Sequence, residues 1–141
     1  MDFPVEHSLL RHGFVLILLG LLSGLVVPVL EIPRLALSAH TIGVFGGIVL
    51  LLLGILWPKF ELSQGRKRLL GISWLVSGYL NWGACLLGAA LGTGKMTPLA
   101  SGGAVSSPLA EAVVAGLLVL VAVSSLLGAG LAIQGLRRVR G

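Results

Sequence analysis

The stretch LALSAHTIGVFGGIVLLLLGILWP, residues 35–58, runs for 24 positions without a charged side chain. As a helix rising 1.5 Å per residue it is ~36 Å long, enough to cross a hydrocarbon core ~30 Å thick. Reading outward, residues 13–30, 69–94 and 112–136 are also uncharged, and each reaches the ~18 apolar residues that a crossing needs. Only 11% of the 141 residues are charged and 56% are hydrophobic, against roughly 25% charged in an average soluble domain. This excludes disorder and argues against a water-soluble domain. The expectation is an all-α integral membrane four-helix bundle, one domain over residues 1–141, with spans at about 9–30, 35–58, 69–94 and 112–136.

Arg11 and His12 precede the first apolar run as in a secretory leader, but no small-residue cleavage site follows. Pro28, Glu31, Pro33 and Arg34 end it as a hairpin would, so it is expected to stay in the mature protein. In a four-span topology Arg11, Lys59, Arg66, Lys67, Arg68, Arg137, Arg138 and Arg140 share one side, and only Arg34 and Lys95 the other. Basic loops stay cytoplasmic, so both termini are expected there, in a multi-pass protein of a bacterial inner membrane. The net charge of +5 follows from this topology and faces anionic lipid; no nucleic-acid partner is expected. Cys85 is the single cysteine, which excludes an internal disulfide and a cysteine-based metal cluster.

Short connections at residues 31–34 and 59–68 make the first three spans antiparallel neighbours. The third connection, Lys95 to Glu111, carries Pro98, Pro108, Gly102, Gly103 and three serines. It reads as a tether, with a lid as the alternative. Small residues four apart recur in every span: Gly20 and Gly24, Gly43 and Gly47, Gly88 and Gly92, Ser124 and Gly128. Such seams let helices approach closely where lipid supplies no hydrophobic force between them. The spacing does not choose between packing within the chain, packing between chains, and contact with a flat ligand.

Polar side chains at membrane depth mark interhelical bonds or a site. His40 lies about five residues into the second span, with Gly43 and Gly47 expected on its face as bare backbone that a planar macrocycle can approach. A histidine bonding a neighbouring helix is the alternative. One histidine does not hold zinc, yet it can hold a haem iron axially while the porphyrin fills the equatorial positions. Ser73, Ser77, Asn81 and Cys85 recur every four residues and form one polar stripe on the third span, flanked by Tyr79, Trp82 and Trp74. The stripe suits the wall of a small-molecule pocket or the glue between helices. No carboxylate lies within a span, which argues against a proton-relay transporter or a carboxylate-based hydrolase.

The segments Pro33-Arg34-Leu35-Ala36-Leu37-Ser38-Ala39-His40, Arg11-His12-Gly13, Tyr79-Leu80-Asn81-Trp82, and Met96-Thr97-Pro98-Leu99-Ala100-Ser101-Gly102 followed by Glu111-Ala112-Val113-Val114 resemble the hydroxylaminobenzene mutases. More distantly they resemble the styrene oxide isomerases, over about Leu9 to Arg138. The resemblance implies a small membrane isomerase acting on a small aromatic substrate. In the styrene oxide branch it also implies a homotrimer that binds haem b between subunits, with the histidine matching His40 as axial ligand and the iron as a Lewis acid. That branch has an asparagine six residues after the histidine, where this chain has Gly46. It has an aspartate and a tyrosine where this chain has Ser77 and Cys85.

The expected reaction is conversion of an aryl hydroxylamine to a 2-aminophenol. Asn81, with Ser77 or Tyr79, holds the nitrogen; Trp82, Trp74 and Cys85 line the pocket. His40, Gly43 and Gly47 meet the haem, and Arg34 is a candidate for its propionates. The alternatives are isomerisation of an aryl epoxide to an aldehyde, and a non-catalytic membrane subunit.

Overall fold

The computed structural model describes residues 5–136. Four long helices, α1 (Val5–Val26), α2 (Pro33–Leu56), α3 (Gln64–Leu91) and α5 (Pro108–Gly135), are each long and apolar enough to cross a membrane. A single helical turn, α4 (Pro98–Ser101), interrupts the last connection. The described residues contain no strand.

Proline sets most of the helix boundaries. Pro33 and Pro108 occupy the first helical position, where the missing N–H costs nothing. Pro28 and Pro58 turn the chain through short 3-10 segments, Val27–Val29 and Trp57–Lys59, at the ends of α1 and α2. Two of the boundaries that depart from expectation have a local cause. α3 starts at Gln64, five residues early, because Gln64, Arg66, Lys67 and Arg68 are strong helix formers that need no burial. α5 starts at Pro108, where the Ser107 hydroxyl caps it by accepting from the Ala110 N–H at 3.3 Å.

The helices pack as a row more than as a closed bundle. α1 lies along α2, α2 along α3 and α3 along α5, while α1 touches α3 over a short stretch. The α1–α2 contact is nearly bare backbone. A Cβ added to Gly43 would lie 2.5 Å from the Gly20 Cα, and one on Gly47 2.5 Å from the Gly13 carbonyl oxygen. Near the termini the core is large and aromatic, built on Leu9, Leu16, Leu50, Leu53, Trp57, Phe60 and Leu70. Towards the opposite end it is built on the smaller set Ile32, Leu35, Ala36, Ala39, Cys85 and Ala89. The Glu61 N–H donates to the Gly135 carbonyl at 2.9 Å and ties the α2–α3 turn to the end of α5.

The connection expected to be a tether is folded. α3 stops at Gly92, which adopts a left-handed φ of 68° that a side chain would strain. Beyond it the carboxylate of Glu111, 8% exposed, accepts from the backbone N–H groups of Gly94 (3.0 Å), Lys95 (3.1 Å) and Ser106 (3.1 Å). One side chain in the first turn of α5 thus closes both arms of the loop with charge-assisted bonds. Replacing Glu111 with alanine is expected to leave the spans folded. Gly94, Lys95 and Ser106 should lose most of their amide exchange protection, read by hydrogen–deuterium exchange in detergent.

Candidate functional site

His40 stands seven residues beyond the start of α2, ~10 Å along its axis. Its ring is half-buried against α1, where a Cβ on Gly24 would lie 2.7 Å from the imidazole Nδ1. Nδ1 and the carbonyl oxygen of Gly20 are 2.8 Å apart. A carbonyl only accepts, so Nδ1 carries the proton and donates it, and Nε2 keeps its lone pair. An N–H anchored on a backbone carbonyl is also what orients metal-ligating histidines. A half-exposed imidazole anchored in this way could supply one protein ligand to a haem iron.

The same carbonyl organises two more side chains. The Ser23 hydroxyl donates to the Gly20 oxygen at 2.7 Å, and the Trp82 Nε1–H donates to Ser23 Oγ at 3.4 Å. Trp82 also packs close to Gly43, whose added Cβ would lie 3.0 Å from the indole Cδ1. His40 and Ser23 therefore meet at one backbone oxygen, and Trp82 joins them through the Ser23 hydroxyl. Ser23, Gly20 and Gly24 are not singled out as site residues by sequence. A carbonyl acceptor leaves no mark in residue type, although the Gly20–Gly24 spacing does mark a close approach.

The four residues of the polar stripe of α3 differ in burial. Ser73, Ser77 and Cys85 are buried and Asn81 is half-buried. The Cys85 thiol points at Asn81 Oδ1 at 3.9 Å, which leaves the amide N–H groups of Asn81 to donate elsewhere. Cys85 packs with Ala36 and Ala39, and Trp82 reaches Gly43. Residues 81–85 thus lie level with residues 36–43, the height of His40.

Five expected site residues lie elsewhere. Gly43 and Gly47 do not present bare backbone to a ligand: α1 fills both faces, through Gly20 and through Gly13 with Ile17. Tyr79 is paired with His12, its hydroxyl 2.9 Å from His12 Nδ1 and the two rings edge to face. Eight residues separate His12 from Gly20, ~12 Å along α1, so Tyr79 and Asn81 do not converge on one atom near His40. Trp74 packs on α5, where an added Cβ on Gly128 would lie 2.8 Å from the indole Nε1. Its separation from Trp82 by eight residues makes it a wall of the α3–α5 contact. Arg34 opens on the other side of α2, lining a cavity with Ala90 and Leu91 of α3, whereas His40 leans on α1.

These features define an all-helical membrane protein with one tautomer-fixed histidine at depth. The model of the styrene oxide isomerase family matches residues 5–137, and the chain belongs to that family. It is similar to hydroxylaminobenzene mutase HabB of Ectopseudomonas oleovorans, 40% identical over 138 residues, which is 96% of this chain and 84% of the relative. It is also similar to hydroxylaminobenzene mutase HabA of the same organism, 42% identical over 117 residues, 81% of this chain and 85% of that one. No solved structure matches the chain. The protein is a mutase-like membrane isomerase.

Proposed function

We propose that the chain converts an aryl hydroxylamine, such as hydroxylaminobenzene, to 2-aminophenol within the membrane, with haem b held by His40 in a homotrimer. The observation that carries this reading is the Nδ1–Gly20 bond, which leaves Nε2 of His40 free to ligate. The two relatives named as hydroxylaminobenzene mutases support the substrate class. When bound, a ferric haem supplies a Lewis acid and consumes neither oxidant nor reductant.

The reaction moves the hydroxyl oxygen from nitrogen to the ortho ring carbon. The ring C–H proton is lost, the nitrogen regains a proton, and the formula is unchanged. In water, attack falls mainly on the para carbon, so the site must exclude water and hold the departing oxygen beside the ortho position. The apolar surroundings of Ala36, Ala39 and Ala89 exclude water. Trp82, steadied through Ser23, offers a flat wall for the ring. Asn81, whose oxygen faces Cys85, presents its N–H groups to the substrate nitrogen.

Epoxide isomerisation is the second reading, favoured by the description of the matching family model. Gly46, Ser77 and Cys85 weigh against it, since they stand where the isomerase branch has the side chains that position an epoxide. A panel of aryl hydroxylamines and aryl epoxides separates the two. With substrate labelled at the hydroxyl oxygen, 2-aminophenol is expected to retain the label; complete exchange with solvent would overturn internal transfer. Asn81→Ala is expected to lower kcat by about 10²-fold, and unchanged turnover would reduce the stripe to packing. The basic residues Arg66, Lys67 and Arg68, at the same end as both termini, support a cytoplasmic position for that end.

A further inference from the structure

The end of the molecule opposite the termini contains a cavity of about 750 Å³ that the isomerase reading does not use. Its walls are the start of α2, the end of α3 and the loop beyond α4. The ends of two spans form it, so it sits where hydrocarbon gives way to lipid headgroups. Glu31 and Arg34, both exposed, line it together.

The two charges are set apart by the fold. The Glu31 side chain passes over Gly92, where an added Cβ would lie 3.2 Å from its Cγ, so its carboxylate belongs to the C-terminal end of α3. Arg34 belongs to the first turn of α2. The helix ends carry partial charges of the same sense as these side chains, negative at the α3 end and positive at the α2 end. One wall therefore attracts a cation and the other an anion.

The rim is apolar. Leu99 and Val105 are 93% and 87% exposed beside the opening, and at headgroup level such side chains settle among glycerol and upper acyl groups. A ligand that suits all three parts has an ammonium, a phosphate within a few bonds of it, and a hydrocarbon tail.

We propose that this cavity binds the headgroup of a phospholipid bearing a primary amine, phosphatidylethanolamine, with the ammonium at Glu31 and the phosphodiester at Arg34. A choline headgroup has no N–H to donate to the carboxylate, and a phosphoglycerol headgroup has no cation. The site lies on the α3 side of α2, whereas His40 faces α1, so it stands or falls separately from the mutase reading.

The test uses the full chain in nanodiscs of phosphatidylcholine, alone or with added phosphatidylethanolamine or phosphatidylglycerol. Retained lipid is read by native mass spectrometry and Tm by a thermal scan. The ethanolamine lipid is expected to be retained with about tenfold preference over the others, 1.4 kcal/mol, and to raise Tm. Glu31→Gln and Arg34→Gln should each remove that preference while keeping the Tm in phosphatidylcholine alone. Equal retention of the three lipids, or an unchanged preference in both variants, would overturn the assignment. Glycerophosphoethanolamine producing the same Tm gain from solution would assign the cavity to a soluble phosphoamine and overturn the lipid.

Discussion

Replacing His40 with alanine is expected to abolish turnover of hydroxylaminobenzene and remove the haem Soret band from the purified protein. The fall in kcat/KM should be roughly 10³-fold or more, about 4 kcal/mol of barrier at 1.36 kcal/mol per decade. The size follows from the position of the ring. His40 supplies the imidazole whose Nε2 is freed by a bond from Nδ1 to the Gly20 carbonyl, and the described residues hold no cluster of three metal-ligating side chains to substitute for it. The variant should remain folded, because the half-buried ring leaves only one backbone oxygen short of a donor, and Ser23 still donates to it. External imidazole should restore part of the Soret band. An active, folded variant without tetrapyrrole would end the haem proposal and leave the family membership intact.

The second large effect concerns packing. Gly43→Leu is expected to prevent α1 from docking on α2, with a loss of about 3 kcal/mol or more of stability, measured by denaturant titration in mixed micelles. A Cβ at this position already meets the Gly20 Cα at 2.5 Å, with backbone on the opposing side, so neither helix can yield without separating. Separation would also carry the Gly20 carbonyl away from His40 and the Ser23 hydroxyl away from Trp82. Gly116→Leu is the matching control. Nothing lies within 4 Å of an added Cβ there, and the change should be nearly neutral.

The number of spans, their order and the short turns were legible because each rests on a local property. Runs of uncharged residues and the prolines at 28, 33, 58 and 108 act where they stand. His40 was legible as a candidate because imidazole is conspicuous in a hydrocarbon span. The facing of the helices was less legible. The Ser73–Cys85 spacing predicts a shared line on α3, but not which neighbour Trp74 or Tyr79 meets. Those contacts depend on how far the glycine seam draws α1 onto α2, and on α5 docking through Gly128. The same seam explains why Gly43 and Gly47 serve the fold: a position bare enough for a ligand is equally bare for another helix. Glu111 was visible as a carboxylate at a span edge, while its three donors are backbone groups that any sequence would offer.

The row-like arrangement of the helices bears on how the protein is made. Residues 5–56 contain the glycine seam, the short turn and both partners of the His40–Gly20 bond. The imidazole can therefore acquire its proton arrangement while the ribosome is still translating the second half of the chain. Later helices then arrive at an imidazole already oriented, so the order of synthesis matches the order in which its surroundings are built.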